Sequence, residues 1–178
     1  MASRRLARQY SLMMLYGIDT RGEQTVTWSI WPMLEAAEEL EPAESALSRR
    51  AVLEGEKEFS ASLSNGVCSN LQAIDQLISR TSTNWRIDRM PTIDRNILRL
   101  GIYEIVFRED IPIGASINEA IELAKLFCAN GRQSHQFING VLDRVAKDIH
   151  LQEEVLSQSM RTRVLSDVIK DQNQNNNQ

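Results

Sequence analysis

Apolar side chains recur three or four residues apart along most of this chain, the period of an α-helix. At 100° per residue, Leu6, Ala7, Tyr10, Met13 and Met14 share one arc of a first helix. That helix has Ser3 as its candidate cap and runs to about Ile18, with Arg4, Arg5 and Arg8 on the opposite side. A second helix is expected over 26–40, and 41–56 reads as an acidic, weakly structured connection. Phe59, Leu63, Val67, Leu71, Ile74 and Ile78 form the stripe of a third helix. Thr81 to Pro91 is a connection carrying Trp85, and Pro91 suits the first position of a helix over 91–108 with Asp94 in its first turn. Ser116-Ile117-Asn118-Glu119 reads as a capping box that starts a helix at Ile117, buried along Ala120, Ile121, Ala124 and Phe127. After an Asn130-Gly131 turn, Ser134 can cap a helix buried along Phe137, Ile138, Val141, Leu142, Val145 and Ile149. A last stripe runs from Val155 to Val168, and residues 172–178, only Asn and Gln, are expected to be disordered. No period-2 run is long enough for a strand, so the reading is an all-α chain of about seven helices.

The 178 residues suffice to bury a core without staples. No stretch approaches the roughly 20 apolar residues that span a membrane. Cys68 and Cys128 are too few and too far apart for a disulfide framework, and His135 and His150 are too few for a self-contained metal cluster. P-loop, GxGxxG, HExxH, GxSxG and paired CxxC signatures are missing, so neither a metal nor a cofactor is expected. Glu119, Glu122 and Lys125 resemble an acid–base group but read better as a cap and a solvated helix face.

The net charge is −4, unevenly spread. Residues 1–18 hold three arginines and no acid, whereas 23–58 hold nine acids against three bases. Residues 85–108 turn positive again through Arg86, Arg89, Arg95, Arg99 and Arg108. Sixteen of the 20 bases are arginine, which suits phosphate contact, although genomic composition explains the excess equally well. Three arginines at the positive end of a helix dipole are unfavourably placed, a cost tolerated where an anion binds. With Leu12 and Tyr16 projecting near Arg5, this surface suits single-stranded nucleic acid. A transit peptide is the other reading of an Arg-rich, acid-free start. Phe137 beside a helix N-terminus can stack a base or simply fill the core, and periodicity favours the core.

Three segments carry a resemblance. They are Arg4-Arg5-Leu6-Ala7-Arg8 through Leu15-Tyr16; Asn84-Trp85-Arg86 through Ile93-Asp94-Arg95-Asn96-Ile97-Leu98-Arg99 to Tyr103-Glu104; and Ile117-Asn118-Glu119-Ala120-Ile121-Glu122 followed by Ser134-His135-Gln136-Phe137-Ile138-Asn139-Gly140. Together they make the chain similar to the NusB family from about residue 3 to 148. The resemblance implies two roughly perpendicular helical bundles, about 1–80 and 84–150; the stripe beyond them reads as an additional amphipathic helix over 151–171. It implies a cytoplasmic, non-enzymatic antitermination factor that pairs with NusE, a small-subunit ribosomal protein. The pair would bind boxA-type single-stranded RNA and join the RNA polymerase elongation complex with other Nus factors, chiefly at ribosomal RNA operons. By position, Arg5, Arg8, Arg99, Arg108, Gln136 and Phe137 would face RNA, with Arg4 and Ser134 as neighbours, and Tyr16 and Asp94 would face NusE.

This chain departs from the family pattern in three places. The Cys128–Gln133 link is about two residues longer, and Arg132-Gln133 stands where acids are frequent, which predicts unimpaired or tighter RNA binding. Gln136 replaces a frequent lysine. The acidic connection 35–58 is longer, and 151–178 extends past the family's end, its stripe covering this body or a second copy in a homodimer. The alternative function is the NusB-like RNA-binding part of a ribosomal RNA methyltransferase, which requires a doubly wound catalytic domain beyond these 178 residues.

Overall fold

The computed structural model describes residues 4–23, 43–82 and 85–149, with side chains of the second block from Glu54 onward. Among these residues there are six α-helices and no strand: α1 (Arg4–Arg21), α2 (Ala43–Ser69), α3 (Leu71–Thr81), α4 (Thr92–Phe107), α5 (Ile113–Phe127) and α6 (132–149). A 3₁₀ turn, Ile87–Arg89, lies between α3 and α4. The all-α expectation holds. The expected helices 26–40 and 151–171, the Asn/Gln tail, Ser3 and His150 lie outside the described residues.

α4 is the axis of the fold. Its buried positions, from Asp94 to Ile105, encircle the helix, as expected of an element covered on all sides. α1, α2, α3 and α5 pack on it. α6 adds Ile138, Val141, Leu142, Val145 and Ala146 to the same continuous core. Gly101 makes that approach possible, since a Cβ there would stand 3.0 Å from a Leu142 methyl. α1 meets α2 through small polar residues: the buried Ser11 hydroxyl lies 3.0 Å from the Ser60 carbonyl and 3.2 Å from its hydroxyl.

Several local expectations are corrected. On α1 the buried positions are Ala7, Arg8, Ser11, Leu12, Met14, Leu15 and Ile18, while Met13 is exposed. The helix is thus rotated relative to its apolar arc, because Arg8 enters the interior with a carboxylate partner. α1 also continues to Arg21, ended by Gly22 at φ +68°. The backbone from Ala43 is helical, so much of the acidic 41–56 stretch is part of α2. The stripe from Phe59 to Ile78 belongs to two helices, broken at Asn70, whose side-chain amide donates to the Gly66 carbonyl at 2.8 Å. α4 begins one residue after Pro91. α5 begins at Ile113, so Ser116 lies within it, fully buried, and Glu119 is free to leave the helix end for α1. Ser134 is likewise inside the first turn of α6, and the turn before it is closed by Gly131 at φ +48°.

Gly66 meets the Tyr103 ring so closely that an added Cβ would overlap it. The ring is backed by Phe107, with centroids 5.7 Å apart. Gly66→Ala gains about 1 kcal/mol of helix propensity but overpacks by about 1–3 kcal/mol. The expected outcome is a lower urea midpoint with an unchanged m-value; a raised midpoint contradicts the packing.

Candidate nucleic-acid interface

Arg8 is 5% exposed. Its Nε and Nη2 donate to the two carboxylate oxygens of buried Glu104 at 2.7 and 2.9 Å, and its Nη1 donates to the Arg4 carbonyl at 3.4 Å. α1 is thereby fixed against α4. The same guanidinium lies 5.5 Å from the centre of the Phe59 ring, which Arg4 and Arg108 approach at 5.2 and 5.4 Å. Guanidinium groups from the first helix and from the end of α4 thus gather on one aromatic ring of α2. Arg108 donates to Asp110 at 2.7 and 2.9 Å and to the Ser62 hydroxyl at 3.0 Å. That hydrogen bond holds the Asp110 carboxyl below its usual range, and Arg4 adds to the effect. Arg4 is exposed, and no carboxylate pairs with it among the described residues. Arg8 and Arg108 each meet a carboxylate here, while Arg4 stays exposed beside them.

The surface continues through Arg5, which is exposed and bonded to Glu119 of α5, the shortest contact being 2.8 Å. Such an exposed pair is weak and exchangeable. Glu122, one turn on, bonds Lys125 at 2.6 Å and is held below its usual range chiefly by that bond, with Arg5 and His135 contributing. His135 carries the surface to the start of α6. There Gln136 is exposed, and Phe137 is half-buried, one side on the core and its ring 5.5 Å from Trp85 at 37°. Neither the core reading nor the stacking reading of Phe137 excludes the other.

Ser134 and Asp94 face inward. The Ser134 hydroxyl donates to Asp94 at 2.6 Å, and Asp94 is 5% exposed, so its carboxylate anchors α6 to α4 and offers little to a partner. Burial first, then a hydrogen bond to Asp94, push the Cys128 thiol up from 9.0 to about 12. Cys68 is also pushed up by burial, with Arg99 opposing. Tyr16, at 43% exposure, does present an aromatic surface.

Arg99 belongs to a different network. It is 8% exposed, donates to both oxygens of Asp75 at 2.8 Å and lies 3.0 Å from Asp19. Arg95 and the Asn96 amide converge on the same Asp19 oxygen at 2.8 Å. Burial disfavours the Arg99 cation, yet Asp75 and Asp19 outweigh it and raise its pKa. The placement of Arg8 and Arg99 on an open phosphate-facing strip is therefore corrected: both guanidiniums are committed to carboxylates. Leu12, expected beside Arg5 at the surface, is buried in the core. Sequence reasoning missed Phe59 and Glu104, since nothing in a helical stripe marks a phenylalanine that will lie under arginines from elsewhere.

Removing Glu104 alone strands a buried cation. Glu104→Ala is expected to cost about 3–5 kcal/mol in urea unfolding; a loss under about 1 kcal/mol contradicts the burial. For the thiol, the folded state holds its proton longer than the unfolded chain, so this group's contribution to stability declines as pH rises above 9.0. In a Cys68→Ser variant, alkylation of native Cys128 should still be climbing at about pH 10, whereas the urea-unfolded chain has passed the 9.0 midpoint. A native midpoint at 9.0 contradicts the burial of this thiol first and then its Asp94 contact.

The chain is similar to known proteins over most of its length. The NusB family profile matches residues 5–147. The transcription antitermination protein NusB of Myxococcus xanthus is 44% identical over 147 residues, covering 82% of this chain and 96% of that one. Its counterpart in Geotalea uraniireducens is 44% identical over 146 residues, covering 82% and 95%. The structure of T. maritima NusB matches with a TM-score of 0.61 at 34% identity, covering 83% of this chain and 93% of that chain. A complex of antitermination factors NusB and NusE with dsRNA shares the fold, with a TM-score of 0.60 at 23% identity over 82% of this chain and 96% of that one. No helix among the described residues is long and apolar enough to cross a membrane. A match of this length and identity makes the chain a member of the NusB family, whose curated relatives here are transcription antitermination proteins.

Proposed function

We propose that this protein acts as a cytoplasmic, non-enzymatic antitermination factor that holds boxA-type single-stranded RNA together with NusE. On this reading it joins the RNA polymerase elongation complex with other Nus factors, chiefly at ribosomal RNA operons. The observation that carries the RNA part is the convergence of Arg4, Arg8 and Arg108 on the Phe59 ring. Arg5 and the α6 start with Gln136 and Phe137 continue that surface. In this proposal Arg4, Arg5 and Arg108 hold phosphates and Phe137 stacks a base. Arg8 and Ser134 position their neighbours, Arg99 and Asp94 are internal, and Tyr16 faces NusE.

The test is a titration of boxA-like RNA with and without the NusE homologue. With three to six phosphates engaged, the log–log salt slope should be about −2 to −4. Arg5→Glu and Phe137→Ala should each weaken RNA binding severalfold, while Tyr16→Ala should weaken pairing with NusE and leave binding of RNA alone intact. Wild-type RNA affinity in both of the first two variants would remove the proposed surface.

A further inference from the structure

Trp85 is 52% exposed, an unusual position for so large an apolar side chain. It is nevertheless held in place. The buried Ser82 hydroxyl lies 3.1 Å from the Trp85 carbonyl, and the Trp85 amide donates to the Ser82 carbonyl at 3.0 Å. Its ring stands against Phe137, and beside this pair opens a cleft of about 280 Å³. That volume is at the small end of ligand pockets, which run roughly 300–1,000 Å³, and suits one ring system rather than a large cofactor.

The opposite wall is a stripe of α6: Gln136, Gly140 and Arg144, each four residues from the next and so on one helix face. Gly140 is the informative member. Glycine inside a helix is about 1 kcal/mol less favourable than alanine, and among the described residues no packing requires it here, because an added Cβ would meet none of them within 4 Å. Its missing side chain leaves that part of the cleft wall bare. Gln136 and Arg144 are both exposed at this wall, and Arg144 has no ion-pair partner among the described residues. The cleft thus combines an aromatic face, an amide able to donate and accept, and an unpaired cation.

Resting on the RNA reading above, we propose that this cleft accepts one unpaired nucleobase of the same RNA. Trp85 supplies the stacking face, Gln136 reaches the base edge and Arg144 takes a flanking phosphate. This base would lie beyond the one stacked on Phe137, extending the bound segment along α6.

Two substitutions separate the elements. Gly140→Leu fills the cleft without removing any group, and Trp85→Leu removes the stacking face. The expected result for each is RNA affinity about five- to hundredfold weaker than wild type, an unchanged salt slope and a wild-type far-UV spectrum, with Trp85→Phe recovering most of the loss. Arg144→Gln should flatten the salt slope by about 0.7. In a Trp28→Phe/Trp31→Phe background the fluorescence of Trp85 should be quenched by a boxA-like RNA. If wild-type protein binds RNA but Gly140→Leu and Trp85→Leu bind equally well, the cleft is not a base site while the wider RNA surface stands. Quenching by the NusE homologue and not by RNA assigns the cleft to a protein side chain and overturns the inference. If wild-type protein binds no RNA, the RNA surface and this inference fall together.

Discussion

The arrangement depends on a buried ion pair between the first helix and the central one. Taking two charges out of water costs several kcal/mol per ion, and the attraction between them offsets that only with complete hydrogen bonding. Arg8 and Glu104 meet this condition with two short parallel bonds, and the remaining guanidinium arm reaches the Arg4 carbonyl. The pair is directional, so it sets the rotation of α1 in a way that apolar contacts alone do not. With that rotation fixed, Ser11 meets Ser60, Leu12 and Leu15 enter the core, and Arg4 and Arg5 are left at the surface.

Cations in this protein therefore divide into two groups by their surroundings. Arg8, Arg95 and Arg99 are held by carboxylates within the helix packing and behave as structural links. Arg4, Arg5, Arg108 and Arg144 keep their heads at or near solvent, paired weakly or not at all among the described residues. A phosphate can compete for the second group and not for the first, because an exposed ion pair is screened and easily exchanged whereas a buried one leaves an uncompensated charge behind. The aromatic rings follow the same division. Phe59 orders guanidiniums from beneath, while Trp85 and Phe137 form a ledge open to a ligand.

Much of the fold was legible because hydrophobic period reports burial. It located α4, α5 and α6 to within a few residues and excluded strands. It failed where a polar residue entered the interior with a partner distant in sequence. The helical arc sets Arg8 on the outer face, and its partner Glu104, 96 residues away, brings it inside. The resemblance sets Arg99 against RNA, yet Asp19 and Asp75, distant in sequence, hold it inside. Ser116 and Ser134 looked like caps because their local spacing allows it, yet each sits inside a helix and Ser134 serves Asp94. The split at Asn70 was hidden because Leu71 and Ile74 preserve the apolar spacing across the break. Of the candidate site, the sequence supplied the arginines and Phe137; the ring that gathers the arginines and the glycine that opens the cleft emerged only from three-dimensional contacts.

On the proposed RNA surface, Arg8 holds its neighbours from within and does not itself touch RNA. The direct measurement is the salt dependence of RNA binding for an Arg8→Met/Glu104→Leu double variant, which replaces the pair by apolar groups of similar volume. The expected result is a folded protein whose log–log slope equals that of the wild type, since the same phosphates are neutralised. A slope shallower by about 0.7 would mean that Arg8 neutralises a phosphate, and would contradict the division between structural and ligand-facing arginines.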